Sequence, residues 1–334
     1  MKKTYYLFNP GRMSRQDNTL KYTPVSEDGI EEKPRFLPIE TVAELYIFGS
    51  LDTNSALYNF LGKNSIPVHF FDYYEHYTGS FMPKDYLLAG KMQIEQTKAY
   101  MSLKKRLPIA KLFVEGASAN MLKNLQYYQR RGKDVRGTID QILSLKSTIE
   151  NASEISELMG TEGNIRKIYY DAFDIILNDF EMGNRTKQPP TNEVNSLISF
   201  GNMMCYSVCL SQIYHTQLNP TISFLHEPGY RRYSLALDLA EIFKPLLVDR
   251  VIFSVLNKKQ ITSKDFVMEV NKCTLKDAAR KTFVKAFEEK LTETIQHRTL
   301  GKHVSYKHLI KLECYKLTKH ILGIETYQPF KAWW

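Results

Sequence analysis

Short apolar runs separated by turn residues mark the first part of the chain. Roughly the first seventy residues contain TYYLFN, TLKYTPV, VAELYIFG and IPVHFFDYY, each rich in aromatic or β-branched residues. Runs of this kind, bounded by turn formers and charged residues, are typical of β-strands. The stretch NSALYNFLGKN, which precedes the last run, has a helical pattern instead. We therefore predict a small β-rich domain over residues 1–80, with one helix packed against it.

The pattern becomes helical from residue 85 onward. Apolar residues recur at i, i+3 and i+4 over residues 85–131, and Pro108 is expected to break or kink this helix because proline cannot donate the helical hydrogen bond. The same spacing predicts further helices over Ile155–Leu158, Glu162–Asp179, Asn195–Tyr214, Ser234–Phe243, Lys276–Gln296 and Tyr306–Leu322. Residues 182–193 are rich in proline and polar residues and predict a loop, with Asn192 capping the next helix. A larger all-α domain over residues 85–330 thus follows the β-rich one.

The composition favours a polyanionic partner and argues against a membrane protein. The 334 residues include 45 Lys and Arg against 36 Asp and Glu, a formal net charge of +9. Such a charge is common in proteins that bind nucleic acid or an acidic membrane face, although a basic cytosolic enzyme would show it as well. No apolar run approaches the ~18 residues needed to span a bilayer. The start, MKKTYYLFNPGR, reaches Pro10 and Gly11 before the apolar core of a signal peptide develops, so a cytoplasmic location is expected.

The cysteines and the common catalytic motifs offer little chemistry. No cysteine belongs to a C-x-x-C pair, which favours buried free thiols over a zinc site for Cys205, Cys209, Cys273 and Cys314. The sequence also lacks a Gly-rich phosphate loop, a G-x-S-x-G elbow, an H-E-x-x-H motif and a calcium-binding loop. Candidate chemistry must therefore come from individual carboxylates and histidines.

Two carboxylates stand out in FLHEPGYRRYSLALDLAEIFKP, residues 224–245. Asp238 and Glu241 are three residues apart on a predicted helix, so their side chains are neighbours along the edge of its apolar stripe. Adjacent like charges repel each other, and partial burial strengthens the repulsion. A bound cation would relieve it, and so would Arg231 or Arg232 folding back onto the helix. The residues alone leave both interpretations open.

His226 and Glu162 extend this candidate set. His226 stands in SFLHEPGY, just before the helix with the two carboxylates, although a single histidine at such a place is commonly a loop or core residue. A mixed set of imidazole and carboxylate groups suits Mn²⁺ or Mg²⁺. In the upstream segment ELMGTEGNIRKIYYDAF, Glu162 is predicted at a helix start after Gly160, where the helix dipole favours a carboxylate. The alternative is an ordinary i, i+4 pair with Arg166, worth ~0.3–0.5 kcal/mol when exposed.

These segments, taken in order, resemble the CRISPR-associated integrase family Cas1, whose members insert new spacers during CRISPR adaptation. LFNPGRMSRQDNTL is similar to the family's opening β-hairpin, and ELMGTEGNIRKIYYDAF is similar to its glutamate motif. PPTNEVNSLISFGNMM resembles its loop-then-helix motif, and FLHEPGYRRYSLALDLAEIFKP resembles its histidine and acidic motifs. The matching blocks run in the family's order from about residue 5 to residue 245, and they are most similar to type I-B.

The resemblance implies a fold and a site. The implied fold is α+β, with a small N-terminal β-sandwich domain for dimerisation followed by a larger α-helical catalytic domain, assembled as a homodimer. Glu162, His226 and Glu241 match the family's ligands for one Mn²⁺ or Mg²⁺ ion, and Asp238 matches an accompanying catalytic acid of unsettled role. Lys244 stands where the family commonly has arginine, which puts a bidentate clamp there in doubt.

The implied function is that of a metal-dependent DNA endonuclease and integrase. The 3′-hydroxyl of a prespacer strand would attack the repeat phosphodiester, with double-stranded prespacer and CRISPR repeat as substrates and the small Cas2 protein as partner. Basic residues elsewhere would hold the DNA backbone, which reconciles the charge of +9 with a local acidic cluster. Two alternatives remain open: a metal-dependent nuclease that only hydrolyses DNA, as in repair, and a non-catalytic nucleic-acid-binding scaffold whose carboxylates pair with Arg166, Arg231 and Arg232.

Overall fold

The structure, a computed structural model, describes residues 2–26, 28–72, 76–84, 89–229 and 233–334. The chain divides into two units, Met1–Tyr86 and Leu87–Trp334. Two features of the sequence prediction, the strand residues Tyr73 and Tyr74 and the helix start at Asp85, lie outside the described residues.

Two four-stranded sheets make up the N-terminal unit. The first has three parallel strands and one antiparallel edge strand, in the order β1 (Lys3–Leu7), β5 (Val42–Ile47), β7 (Val68–Phe71), β8 (Tyr77–Phe81). The second has the order β4 (Arg35–Pro38), β3 (Thr19–Pro24), β2 (Gly11–Gln16), β6 (Leu51–Asp52). β2 and β3 form an antiparallel hairpin in which Gln16 pairs with Thr19. This hairpin lies in the segment LFNPGRMSRQDNTL, as the family resemblance implied.

One apolar core is shared by the two sheets. Leu7 and Leu45 of the first sheet and Met13 and Leu20 of the second belong to the same buried cluster, to which helix α1 (Ser55–Lys63) also contributes. Successive side chains of a strand point to opposite faces, so each sheet turns one apolar face toward the other. The predicted combination of a small N-terminal β-sandwich with one helix and a larger helical region is confirmed.

Helices dominate the second unit. Their bounds are α2 Gly90–Met101, α3 Leu103–Gln129, α4 Arg136–Ser144, α5 Lys146–Asn151, α6 Ile155–Asp171, α7 Phe173–Ile176, α8 Glu193–Tyr214, α9 Ser234–Lys244, α10 Arg250–Asn257, α11 Asp277–Thr292 and α12 Tyr306–Ile321. A π-helical segment, Pro245–Asp249, joins α9 to α10. Two short hairpins complete the unit: β9 (Phe266–Glu269) with β10 (Lys272–Leu275), and β11 (Thr294–Gln296) with β12 (His303–Ser305). Among the described residues, no helix combines the length and apolar character needed to cross a bilayer.

The core of this unit is built around α8, α9 and α3. α8 is buried on nearly all sides, and Asn192 caps its start by accepting the backbone N–H of Asn195 at 2.8 Å, as predicted. Pro245 cannot donate to the helical ladder, and the chain widens there into the π-helical segment. The side-chain amide of Asn124, on α3, donates to the Pro245 carbonyl at 2.7 Å. Asn120 does the same for the Ile242 carbonyl at 2.9 Å, so α3 supplies the hydrogen bonds that hold this irregular run.

Several predicted boundaries in the helical unit are wrong. Helix α3 continues through Pro108, and the interruption lies at Ser102, whose backbone is extended. Pro108 removes one backbone hydrogen bond from α3, and the packing of the helix compensates for this loss. The predicted gap before Glu162 is absent, because α6 is continuous through Gly160. The domain is also not purely α-helical, since the two hairpins interrupt it and the last residues of the helix predicted to end at Gln296 form β11.

Close packing of α8 gives the first prediction. A Cβ atom on Gly201 would lie 2.5 Å from Cγ1 of Val248 and 3.1 Å from Cζ of Phe283. Neither neighbour can move far, because both are buried in the core. We expect Gly201→Ala to lower the free energy of unfolding by about 1–3 kcal/mol through overpacking, measured by denaturant titration.

Gly137→Ala is the matched control. Gly137 is exposed on helix α4 and a Cβ atom there meets nothing within 4 Å, so alanine should leave the stability equal or raise it by up to about 1 kcal/mol. Equal stabilities for the two variants would contradict the packing described around α8.

Candidate functional site

Two of the predicted carboxylates converge on one arginine. Glu162 and Arg166 lie one turn apart on α6, and Arg166 Nε donates to Oε1 of Glu162 at 2.8 Å. Nη2 of the same guanidinium donates to Oε2 of Glu241, which lies on α9. All three side chains are largely buried, with 15% or less of each exposed. Residues distant in sequence are thus brought together through a single positive charge.

Glu162 owes its place to this pair and not to a helix end. It lies in the middle of α6, so the predicted stabilisation by a helix N-terminus is wrong. The dipole acts only within the first turn. The i, i+4 pair with Arg166, the alternative offered by the sequence, is formed.

Glu241 is held ionised by several positive groups. Lys244 Nζ donates to its Oε1 at 2.5 Å, one turn along α9. Burial alone would raise the pKa of Glu241, but the charges of Arg166, Lys244 and His226 lower this pKa to about 2. Burial would likewise lower the pKa of Lys244, and the Glu241 carboxylate raises it instead. Both groups therefore keep their charges throughout the neutral pH range.

Asp238 has different hydrogen-bond partners from Glu241, its neighbour on α9. Its carboxylate is fully buried, and its Oδ2 accepts the backbone N–H of Phe224 at 2.7 Å and that of Leu225 at 3.0 Å. Its Oδ1 accepts the backbone N–H of His226 at 2.9 Å and the ring Nδ1 at 2.8 Å. Asp238 and Glu241 therefore have separate partners, and the predicted repulsion between them is relieved without a shared cation. The other partners proposed from the sequence, Arg231 and Arg232, lie outside the described residues.

Asp238 fixes the orientation of the His226 ring. Because a carboxylate accepts at Nδ1, that nitrogen carries the ring proton and Nε2 remains basic. Metal-binding histidines are commonly oriented by a carboxylate in this way. Burial would lower the pKa of His226, but the hydrogen bond and charge of Asp238 raise it. On the other side of the loop, Arg106 donates to the Phe224 carbonyl at 2.7 Å and to Glu227 Oε1 at 2.7 Å.

The donor set suits a divalent cation, but the side chains are not gathered around one. Among the described residues, no three His, Cys, Asp or Glu side chains are placed to hold a metal ion together. Arg166 stands between the two glutamates and supplies the charge that a cation would otherwise supply. The two carboxylates are hard oxygen donors, and the imidazole of His226 is near enough to influence the pKa of Glu241. Mn²⁺ and Mg²⁺ take ligands of these types. The donor types therefore fit such an ion, and in this structure Arg166 occupies the place between the two glutamates.

Sequence reasoning missed the groups behind these carboxylates. The i, i+3 spacing of Glu241 and Lys244 could have revealed their ion pair. Asp249 had no such signal: it is buried in the π-helical segment, and burial raises its pKa to about 7 against the opposing charge of Arg166. Nearby, Tyr169 accepts the side-chain amide of Asn124 at 2.8 Å. These groups come from three α-helices and the π-helical segment, and only the fold brings them together.

Comparison with known proteins agrees with this architecture. Residues 5–289 match the family model for CRISPR associated protein Cas1. A CRISPR-associated endonuclease Cas1 of Fusobacterium nucleatum is 46% identical over 100% of this chain and 98% of its own length. The structure of a Cas1 protein from Thermotoga maritima superposes with a TM-score of 0.87 at 38% identity, covering 98% of this chain and 100% of that one. A casposase bound to an integration product has the same fold at 21% identity, with a TM-score of 0.86 and coverage of 99% and 93%.

The hydrogen bonds of Asp238 generate the second prediction. Asp238→Asn keeps the shape but replaces one accepting oxygen with a donor, so at least one buried N–H of the loop loses its partner. We expect the free energy of unfolding to fall by about 1–3 kcal/mol and the amide hydrogens of residues 224–226 to exchange faster with deuterium. Hydrogen exchange read by mass spectrometry measures the second effect directly.

Asp277→Asn serves as the control for this substitution. Asp277 is 78% exposed at the start of α11, where its pair with Arg280 contributes little. Its replacement should change neither stability nor exchange at residues 224–226. Unchanged exchange at these residues in Asp238→Asn would show that another group holds the loop.

Proposed function

The chain belongs to the Cas1 family of CRISPR-associated proteins, and we propose that it inserts new spacers into a CRISPR array as a metal-dependent DNA integrase. The observation that carries the proposal is the convergence of Glu162 and Glu241 on one buried positive charge, beside a histidine whose ring is fixed by Asp238. Arg166 and Lys244 balance the charge of the two glutamates in this arrangement. Two carboxylates and an oriented imidazole are the donor types that fit a site for a divalent cation.

Each side chain has a distinct part in the proposed reaction. Glu162, Glu241 and Nε2 of His226 would hold one Mn²⁺ or Mg²⁺ ion. The ion, when bound, supplies Lewis-acid activation of the scissile phosphodiester toward the 3′-hydroxyl of the prespacer strand. Asp238 keeps the Nδ1 proton in place and so leaves Nε2 available as a ligand. Lys244 keeps Glu241 ionised at neutral pH.

The proposed substrates are double-stranded prespacer DNA and the CRISPR repeat. The net charge of +9 supports binding to the phosphate backbone, which should weaken steeply as salt is added. The fold shared with a casposase that was captured on its integration product supports strand joining in place of simple cleavage. We further propose that the protein acts in the cytoplasm as a homodimer, with the domain over residues 1–80 in the dimer contact and the small Cas2 protein as partner.

Two other functions are favoured by particular observations. The relative from Fusobacterium nucleatum is named an endonuclease, and the same site would hydrolyse DNA if water replaced the 3′-hydroxyl. A non-catalytic DNA-binding scaffold would also have its acidic residues paired with arginine, as Glu162 and Glu241 are here. The three functions differ in whether DNA strands are joined, cut or only bound.

A strand-transfer assay tests the proposal. With a labelled duplex, a plasmid carrying the repeat and Mn²⁺, the wild-type protein should join the duplex to the repeat. Glu241→Gln and His226→Ala should each reduce joining by about 100-fold or more, because each removes a ligand. Asp277→Asn changes an exposed carboxylate far along the chain and should leave the rate unchanged.

The outcomes separate the three functions. Cleavage without joining would support the hydrolytic nuclease. DNA binding with no metal-dependent reaction, unaffected by Glu162→Ala, would support the scaffold. Full joining by both His226→Ala and Glu241→Gln would contradict the proposed site.

A further inference from the structure

A buried carboxylate without a cationic partner lies near the site. Asp249 is only 1% exposed, and neither of its carboxyl oxygens is bonded to a positively charged group among the described residues. Nη1 of Arg166 is a buried donor without an acceptor among those residues. Each of these two groups could supply the partner that the other lacks.

The surroundings of Asp249 show which cation could reach it. Side chains of α6 interact at two positions, here called levels, with the residues that run from α9 into the π-helical segment. At the first level, Glu162 and Glu241 share Arg166. At the second level, one turn further along α6, the Tyr169 hydroxyl lies beside Asp249 and influences its titration. The charge of Arg166 is the strongest of those that favour ionised Asp249.

The other cations near Asp249 are already engaged. Lys244 acts on the Asp249 carboxyl but bonds Glu241. Arg185 is influenced by Asp249 and bonds the side chains of Asn195 and Ser199, at 2.9 and 3.1 Å. The negative charge of Glu241 opposes ionisation of Asp249. The Tyr169 hydroxyl accepts the Asn124 amide and keeps its own proton for Asp249, but it is neutral and brings no counter-charge. Of these three cations, only Arg166 has a buried donor nitrogen without a partner in the described residues.

Arg166 and a divalent cation compete for the same two carboxylates. Both positive charges cannot occupy the space between Glu162 and Glu241, since they would repel each other in a site with little water to screen them. An arginine that leaves its partners inside a protein core needs another anion, because an unpaired buried charge is strongly unfavourable. Asp249 is a buried anion on which the charge of the guanidinium already acts.

On the premise of the metal site proposed above, we propose that Arg166 exchanges partners when a divalent cation binds, leaving Glu162 and Glu241 and pairing with Asp249. Arg166 neutralises the two glutamates in the arrangement seen here, and Asp249 accepts its charge when the cation takes its place. Asp249 is then a positioning residue: it touches neither DNA nor the cation, and it sets how readily the cation enters.

Mn²⁺ binding without DNA tests the exchange. Isothermal titration should show that Asp249→Asn binds Mn²⁺ at least about 10-fold more weakly than the wild type, because the displaced guanidinium has no acceptor. In EDTA the same variant should melt at an equal or higher temperature, since it lacks the unpaired buried carboxylate. Arg166→Gln should bind Mn²⁺ at least as tightly as the wild type, because it removes the competitor. In EDTA it should melt at a lower temperature, because the two glutamates then face each other without a counter-charge.

The double variant isolates the coupling between the two residues. Once Arg166 is glutamine, Asp249→Asn should have no further effect on Mn²⁺ affinity. Asp277→Asn, on the exposed start of α11, should bind Mn²⁺ as the wild type does.

Failure of the exchange is distinguishable from failure of the metal site. If the wild type binds Mn²⁺ and Glu241→Gln does not, but Asp249→Asn binds as tightly as the wild type, the exchange is overturned and the metal site stands. Weaker binding by Arg166→Gln would also overturn it, and this result decides the question even if Asp249→Asn does not fold. Absence of Mn²⁺ binding by the wild type would overturn both proposals.

Discussion

Two buried carboxylates that meet between helices must share a positive charge, and the rest of the site depends on this constraint. Glu162 and Glu241 come from α6 and α9, and neither could stay ionised in the core without a cation between them. Arg166 supplies a positive charge to both glutamates, and Lys244 supplies a second one to Glu241. The negative charges of the two carboxylates are therefore balanced by two cationic side chains. Under the proposed function, these carboxylates would hold the metal and basic residues elsewhere in a chain of net charge +9 would hold the phosphates.

The surrounding fold keeps the groups at this centre in position. Asp238 uses its whole carboxylate to hold the backbone and ring at His226, while Arg106 holds the same loop from the other side. The irregular π-helical segment is tied to α3 by Asn124. Asp249 lies at the end of that segment and is buried in the core. Irregular backbone and buried polar groups thus occur together at the candidate site, as they commonly do at functional sites.

The sequence was sufficient for the fold class and for most helices, because apolar periodicity reports which face of an element is buried. The candidate residues came from motif resemblance. Spacing alone could not distinguish a metal-binding role for Glu162 from an ordinary ion pair with Arg166. Periodicity could not show that this arginine also reaches Glu241, or that Asp238 is turned toward a loop, because both contacts join segments distant in sequence. The continuation of α3 through Pro108 was missed for a similar reason: packing of neighbouring helices outweighs one local hydrogen bond.

We propose that the carboxylates now shared with arginine are the ligands of a divalent cation. Anomalous diffraction from crystals soaked in Mn²⁺ tests it most directly, because the scattering locates the ion without reference to activity. We expect one strong peak within coordination distance of Glu162, Glu241 and Nε2 of His226, with the guanidinium of Arg166 displaced from both glutamates. A peak elsewhere, or none while Arg166 remains bonded to both glutamates, would contradict it.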